Sequence, residues 1–385
     1  TVYADWAKRN ELLSRFYQSG LPITQLPDID GKPNPWWQRW MAHPDFDKYY
    51  QSMVPVGEEY RHITIPVLTV TGYFDGGQIS ALDYLKRHKR FNPDADHRLL
   101  IGPYSHGTAQ GKVWESFSNY TLDPVALDKD TEEVVFGWFD HLLFNKAVPK
   151  LVSHAVNYQL MGSNQWRHAE SLAGLNSQGV QYYLGTTPLA NGRYRLLTRQ
   201  EQLPASIEMT VDMADRTTQR NVSPWPLIQD KINDETGLVY VTEAFTSPME
   251  LAGAITGNIV ISTNKQDVDI GYNFYAISPK DEVFHLNTYR SRASYAHSMQ
   301  QRQLLTPGKK TSVPIVNARM TAKLLEPGSR LAIVLNVNKN QDAQVNHGSG
   351  KPVNAESSAD AGEPLTVKWH NDTQIMLPLK PWRSQ

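Results

Sequence analysis

The chain has 385 residues, which is too long for one ordinary hydrophobic core, so we expect at least two domains. Lysine and arginine total 38 against 39 aspartate and glutamate, and this near-balance argues against a nucleic acid or an anionic membrane as partner. The absence of cysteine excludes disulfides, thiolate metal sites and a cysteine nucleophile, and no apolar run is long enough for a transmembrane helix.

Residues 1–60 are rich in aromatic side chains and proline, a pattern that predicts short helices joined by proline-bearing loops. The chain does not begin with Met and opens at Thr1 in what the pattern indicates is the middle of a helix that includes residues 3–17, so we expect its N-terminus not to be the natural one. Three tryptophans lie close together in this segment: Trp36, Trp37 and Trp40. We interpret them as packing residues, with an apolar cap over a binding pocket as the alternative.

Residues 61–150 alternate between strand and helix patterns. A β-branched, apolar run over 63–71 predicts a buried strand, and a helical pattern follows the glycines at 76 and 77. A second strand is predicted over 97–101 and a second helix over 131–144. Strand–helix–strand–helix order predicts a parallel sheet covered by helices, although two strands alone do not complete such a sheet.

From residue 151 to residue 385 the hydrophobic pattern has a period of two, which predicts an all-β sandwich or jelly roll. Residues 338–362 are polar and predict a long surface loop. The predicted strands of this part are 238–245, 258–263, 269–277, 311–316, 330–338 and 374–379.

Two ionisable residues follow the predicted strands of the first sheet. Asp75 comes after the first strand and His106 after the second, and catalytic residues of open α/β sheets lie at such strand ends. An aspartate there can orient a histidine that acts as general base toward a serine hydroxyl. The pattern alone favours a turn or helix N-cap role for Asp75, because two glycines and a helix follow it.

The sequence contains no nucleophile elbow. Three glycine pairs have the spacing of Gly-x-Ser-x-Gly, but their central residues are Phe74, Ala109 and Ile255. Ser105 adjoins His106, but adjacent side chains on an extended loop diverge, so we do not expect it to act as the nucleophile.

Other motifs are incomplete. The run Gly107-Thr-Ala-Gln-Gly-Lys112 is one residue too short for a phosphate-binding P-loop, and no His-Glu-x-x-His motif is present. Isolated histidines such as His285 and His347 are interpreted as surface residues. The sequence therefore indicates no metal and no organic cofactor.

Several motifs resemble the CocE/NonD hydrolases, which include cocaine esterase, α-amino-acid ester hydrolases and X-Pro dipeptidyl-peptidases. The resemblance extends from the cap region through the strand-end loops to the closing strand, and its main motifs are His43-Pro-Asp-Phe-Asp-Lys-Tyr-Tyr50, Gly72-Tyr-Phe-Asp75, Leu100-Ile-Gly-Pro-Tyr-Ser-His106 and Trp138-Phe-Asp-His-Leu-Leu143. It implies that Asp75 and His106 are the acid and base of a catalytic triad.

The resemblance also implies a domain organisation. Residues 1–60 would be the end of a helical cap, residues 61–150 the C-terminal part of an α/β-hydrolase domain, and residues 151–385 a jelly-roll domain. The family's serine elbow and most of its parallel sheet precede the cap and are absent from this sequence. We therefore expect the chain to be a fragment of such an enzyme.

The function that follows is a serine hydrolase of acyl esters or amides, or of short peptides, whose serine lies outside this chain. No cofactor is implied, a homo-oligomer stays open, and the resemblance favours a periplasmic or secreted location. The alternative is an inert remnant that acts as a binding or scaffolding module. Candidate pocket residues are the three tryptophans and the neighbours of the dyad: Trp36, Trp37, Trp40, Tyr73, Phe74 and Tyr104.

Overall fold

The computed structural model describes residues 5–177, 179–232 and 237–384, and most of its regular structure is β-strand. The helices are α1 (Trp6–Ser19), α2 (Leu26–Asp30), α3 (Pro35–Met41), α4 (Lys48–Gln51), α5 (Gln78–Phe91), α6 (Thr131–Phe144) and α7 (Leu172–Asn176). None of these described helices is long and apolar enough to cross a bilayer.

The strands occur throughout the chain after residue 66. Those of the first half are β1 (Val67–Phe74), β2 (His97–Ser105), β3 (Ser116–Phe117), β4 (Tyr120–Thr121), β5 (Val156–Leu160), β6 (Gln165–Ala169), β7 (Val180–Leu184), β8 (Tyr194–Leu197), β9 (Ser206–Val211) and β10 (Ile228–Gln229). Those of the second half are β11 (Leu238–Val241), β12 (Met249–Ala254), β13 (Thr256–Thr263), β14 (Asp269–Ile277), β15 (Val283–Arg292), β16 (Thr311–Pro314), β17 (Met320–Leu325), β18 (Arg330–Val337), β19 (Leu365–His370), β20 (Gln374–Leu377) and β21 (Leu379–Pro381).

Four strands form what we call the small sheet, in the order β1-β2-β5-β6. The first three strands are parallel and β6 returns antiparallel to β5. The predicted start of the first strand at residue 63 is wrong, because the strand begins directly after Pro66, which has no backbone N–H for a ladder. The strand continues through Phe74, so Asp75 follows it without a gap.

The close approach of β1 to β2 depends on a glycine. A Cβ atom at Gly72 would lie 1.9 Å from the backbone oxygen of Tyr104, so any larger residue would push the two strands apart. The ladder shifts register just after Gly72 and then pairs Phe74 with Ser105. The residues that follow the two strands are therefore neighbours in space.

The small sheet extends beyond the predicted domain boundary between residues 150 and 151. Strands β5 and β6 lie after this boundary, yet β5 pairs with β2 and so continues the sheet of the first half. Period-two alternation predicts a strand but does not show which sheet it joins. For this reason the sequence pattern assigned both strands to the following domain.

Two helices cover opposite faces of β2. Leu82 and Leu85 of α5 belong to the same buried cluster as Leu99, whereas Trp138 of α6 packs with Leu100 in another cluster. Successive residues of a strand point to opposite faces, so the two helices enclose β2 from both sides. Residues 67–70 of β1, at the edge of the sheet, are only half-buried.

The remaining strands, β7–β21, form what we call the β domain, in which β17, β12 and β21 make a separate three-stranded sheet. Eleven of its strands follow one another in one antiparallel-rich sheet: β10-β15-β14-β18-β11-β8-β7-β20-β13-β19-β9. Buried side chains from opposite ends of this order, such as Phe274 and Trp369, belong to one core cluster. The all-β prediction is confirmed in strand content for this part of the chain.

Residues 338–362 form a loop with two short 3-10 turns, as predicted, but its predicted place at the surface is wrong, because much of this segment is buried. Lys339 is 1% exposed and its ammonium group lies 2.8 Å from Asp215 Oδ2. Glu356 is buried and accepts hydrogen bonds from the backbone N–H groups of His347 and Ser349. Because such side chains supply hydrogen-bond partners for the backbone, a segment rich in polar residues can be buried.

Candidate active site

Asp75 and His106 lie at the same edge of the small sheet, because they follow two adjacent parallel strands. His106 Nδ1 is 2.8 Å from Asp75 Oδ1. When Nδ1 carries the proton it donates to the carboxylate, and Nε2 then carries the lone pair that can accept a proton. This pair, which we call the dyad, has the geometry of an oriented general base.

The Asp75 carboxylate is held in a fixed position. It is 5% exposed and accepts hydrogen bonds from Thr71 Oγ1 at 2.9 Å and from the Gly77 N–H at 2.8 Å. Burial on its own raises the pKa of Asp75, but the donors at Gly77, His106 and Thr71 together lower that pKa below its usual value. The carboxylate therefore stays ionised and can stabilise an imidazolium.

His106 is open to solvent on its other side. Its side chain is 72% exposed, and the amide nitrogen of Gln110 lies 3.2 Å from Nε2. Ser105, next to it in the chain, turns away: its hydroxyl lies 3.2 Å from that of Thr108. The imidazole nitrogen that could take a proton from a nucleophile thus points outward.

Residues of the β domain hold the backbone next to Asp75. Arg319 Nη1 donates to the carbonyl oxygen of Asp75 at 2.5 Å. The buried side chain of Gln78 donates to the backbone oxygens of Gly72 and Met320 and accepts from the Met320 N–H at 2.8 Å. The start of α5 and the end of β1 are therefore fastened to β17.

A cavity of about 690 Å³ lies beside this backbone, and we call it the arginine cavity because Arg290, Arg292 and Arg319 line it. Of the predicted pocket residues, Tyr73 and Phe74 contribute to its lining. Trp40 lines a separate cavity of about 340 Å³.

The other three predicted pocket residues lie elsewhere. Trp36 is exposed on α3, and the indole nitrogen of Trp37 donates to the backbone oxygen of Ile23. Tyr104 is buried and its ring lies 6.5 Å from that of Trp166. None of these three side chains lines the arginine cavity.

The sequence predicted both residues of the dyad but not the residues that hold Asp75 in position. Thr71 lies on β1 four residues before Asp75, and a polar residue in an apolar strand is a signal that could have pointed to it. Arg319 is 244 positions away from Asp75 and has no sequence signal that links the two. Among the described residues, no group of three histidine or acidic side chains could hold a metal ion.

Comparison with known proteins identifies the class of the chain. Residues 153–375 match the family model of the X-Pro dipeptidyl-peptidase C-terminal non-catalytic domain. Cocaine esterase from Rhodococcus sp. (strain MB1 Bresler) is 23% identical over 325 residues, which cover 81% of this chain and 55% of that protein. The chain therefore spans about half the length of this curated relative.

Solved structures share the fold over almost the whole chain. An aminopeptidase from the marine sediment archaeon Thaumarchaeota archaeon superposes with a TM-score of 0.77 at 17% identity, covering 94% of this chain and 63% of its own. A CocE/NonD family hydrolase from Staphylococcus aureus superposes with a TM-score of 0.59 at 15% identity, and the match covers 93% of this chain and 61% of that hydrolase. The chain belongs to the CocE/NonD family of hydrolases, and residues 153–375 are its C-terminal domain of the X-Pro dipeptidyl-peptidase type.

Proposed function

We propose that this chain provides the acid and the base of a serine hydrolase that cleaves acyl esters or amides, including those of short peptides. The observation that carries the proposal is the 2.8 Å contact between Asp75 and His106 at the ends of two parallel strands. The family relationship to hydrolases supports it, because named relatives are an esterase and an aminopeptidase. The small sheet would then be part of an α/β-hydrolase sheet, and β7–β21 would include its jelly roll.

In this mechanism His106 Nε2 takes the proton of a serine hydroxyl as that oxygen attacks the substrate carbonyl carbon. The same nitrogen then gives the proton to the leaving alcohol or amine, which leaves an acyl-enzyme. Asp75 keeps the proton of the neutral imidazole on Nδ1 and stabilises the imidazolium that forms during attack. Water then attacks the carbonyl carbon of the acyl-enzyme while His106 Nε2 takes its proton. The same nitrogen returns the proton to the serine oxygen, and the carboxylic acid is released.

The serine itself would come from polypeptide outside these 385 residues, because the sequence has no Gly-x-Ser-x-Gly. Two features support a missing neighbour. In the described sheet, β1 pairs with a strand on one side only. Four large apolar side chains of α6 are exposed, namely Phe136, Phe139, Leu143 and Phe144.

The alternative is a binding or scaffolding module without catalysis. The observation that favours it is the match of residues 153–375 to a domain described as non-catalytic. The reading frame upstream of codon 1 separates the two functions. An in-frame Gly-x-Ser-x-Gly there supports the hydrolase, and a stop codon directly before codon 1 supports the binding module.

The proposal is tested with p-nitrophenyl acetate on two proteins: the 385-residue chain and the same chain extended by its upstream coding sequence. We expect turnover from the extended protein alone, and a loss of about 10³-fold or more in kcat for His106→Ala and Asp75→Asn. His62→Ala, at an exposed histidine, is the matched control and should retain full activity.

Two results would contradict the proposal. Full activity of the extended His106→Ala protein would remove His106 from the mechanism. Turnover by the 385-residue chain that His106→Ala abolishes would show that the nucleophile lies within this sequence.

A further inference from the structure

The arginine cavity has an unusual balance of charge. Arg290, Arg292 and Arg319 line it, and none of the lining residues that the structure describes is an aspartate or a glutamate. A cavity lined by one sign of charge attracts ligands of the other sign. The first question is how much of this positive charge is already neutralised by residues behind the lining.

One of the three arginines is neutralised. Arg292 forms a two-pronged ion pair with Asp269, with distances of 2.8 and 2.9 Å to the two carboxylate oxygens. The described residues place no carboxylate oxygen within 4 Å of a nitrogen of Arg290 or Arg319. Two positive charges therefore remain at the cavity wall.

The hydrogen bonding of these two arginines is incomplete. Arg290 donates only one weak bond, from Nη2 to the Asn221 carbonyl oxygen at 3.4 Å, and its buried Nε has no partner among the described residues. Arg319 uses its guanidinium on the backbone oxygens of Asp75 and Gly76. A guanidinium has five N–H donors, so both arginines keep donors for a ligand.

Their environment also disfavours the charged form. Burial lowers the pKa of Arg290, Asp342 partly opposes this effect, and Arg319 lowers the pKa by a smaller amount. Burial likewise lowers the pKa of Arg319, and Asp75 partly opposes it. A bound anion would relieve the cost of holding two partly buried cations near each other.

Another part of the lining is aromatic. The rings of Phe74 and Phe117 stack with centroids 5.1 Å apart, and Trp225 meets Phe117 edge-on at 5.7 Å. These side chains give the cavity an apolar surface in addition to the guanidinium groups. A ligand that uses both surfaces has a carboxylate at one end and an aromatic or bulky apolar group at the other.

The arginine cavity adjoins the dyad. Phe74 and Gly76, which flank Asp75 in the chain, line it, and Arg319 contacts both the cavity and the Asp75 backbone. We infer that the arginine cavity binds a carboxylate through Arg290 and Arg319 and an aromatic or bulky apolar group against Phe74, Phe117 and Trp225. If the proposed function holds, the preferred substrates are acyl esters or amides that carry a free carboxylate as well as such an apolar group.

Binding is measured on the 385-residue chain by ligand-observed NMR with three probes that share a phenylpropyl skeleton and differ in the end group and its charge. The probes are 3-phenylpropionate, its neutral amide 3-phenylpropionamide, and the cation 3-phenylpropylamine. We expect the carboxylate to bind about tenfold or more tightly than the amide, because charge-assisted hydrogen bonds to a guanidinium are roughly twice as strong as neutral ones. The amine should bind most weakly.

Arg290→Gln should weaken binding of the carboxylate by about tenfold and leave binding of the amide nearly unchanged. Arg319→Gln should do the same, and Trp225→Ala should weaken both probes. Arg330→Gln is the matched control. Arg330 pairs with Asp281 outside the cavity, so this substitution should leave the affinity for both probes unchanged. Circular dichroism confirms that each variant remains folded.

Equal affinity for the carboxylate and the amide, or unchanged binding in folded Arg290→Gln, would overturn the inference. Tightest binding of the amine would overturn it as well. None of these measurements requires turnover, so a negative result leaves the hydrolase proposal standing. Conversely, an inactive extended protein would leave the binding result standing.

Discussion

Two histidines that the sequence placed at the surface lie inside the protein. His285 and His347 are 6% and 4% exposed, so the surface interpretation is wrong for both. An isolated histidine in a polar context carries no signal of burial, because its neighbours in space come from distant segments. Burial lowers the pKa of His285 to about 3 and that of His347 to about 4.

These pKa values predict a loss of stability in mild acid. Both histidines are neutral in the folded state, while in the unfolded chain they bind a proton near pH 6.5. Stability is therefore fully present above pH 6.5 and falls as the pH drops below 6.5, down to about 4 for His347 and about 3 for His285, by up to about 1.4 kcal/mol per pH unit for each histidine. Urea unfolding at pH 7.5, 6 and 5 measures this slope.

The group around His347 contains charges of both signs. Arg216 and Lys339 lower the pKa of His347, Asp360 raises it, and Glu356 Oε2 lies 3.8 Å from its Nδ1. His347→Gln should flatten the pH dependence between pH 6.5 and 5, and His62→Gln should leave it unchanged. An unaltered slope in His347→Gln would mean that its folded and unfolded pKa values are the same.

At the scale of elements, α6 has apolar residues on two faces. Its buried face includes Trp138, which is 2% exposed, whereas Phe136 on the other face is 67% exposed. Phe144, the last residue of α6, is exposed as well. The charged residues of α6 are interspersed with apolar ones, so the sequence alone does not identify the outer side of the helix.

Substitutions on the two faces of α6 should therefore differ in effect. Trp138→Ala should destabilise the chain by about 3–5 kcal/mol, because it leaves a cavity in the core beside Leu100. The double variant Phe136→Ser, Leu143→Ser should change the free energy of unfolding by less than about 1 kcal/mol. The same double variant should bind less of the dye ANS than the native chain.

Denaturant midpoints and dye fluorescence check both expectations. A loss of several kcal/mol in the double variant would show that the outer face of α6 is already packed within this chain. It would also weaken the case for a missing neighbour.

The sequence predicted the strand-end placement of the dyad well, because parallel strands bring their carboxyl ends to one edge whatever the details of packing. It did not predict the sheet to which β5 belongs, since alternation looks the same in either sheet. It also missed Arg319, which reaches Asp75 only through the packing of the β domain on the small sheet. Local sequence patterns carry no information about contacts between segments that lie far apart in the chain.

At the scale of the whole molecule, the two sheets should differ in local stability. In the described structure β1 has a ladder partner on one side only, and residues 67–70 are half-buried. Strand β18 lies between β14 and β11, and Leu331, Ile333 and Leu335 are fully buried. Amide hydrogens of β1 should therefore exchange at least about tenfold faster than those of β18 in the 385-residue chain.

Hydrogen exchange followed by mass spectrometry measures the two regions in one experiment. Equal protection of 67–71 and 331–337 would show that the small sheet is complete without further polypeptide. That result would contradict the expectation that the chain is a fragment.

The hairpin of β5 and β6 has a consequence for protein engineering and for evolution. By sequence it lies within the family's C-terminal domain, but by hydrogen bonding it closes the small sheet, and the backbone of Met161 joins it to β17. A recombinant module cut at residue 153 would keep this hairpin and lose β2, the strand on which it rests. Exchange of this domain between related enzymes would succeed only when both parents carry matching partners for β5, so the two parts should be inherited together rather than shuffled.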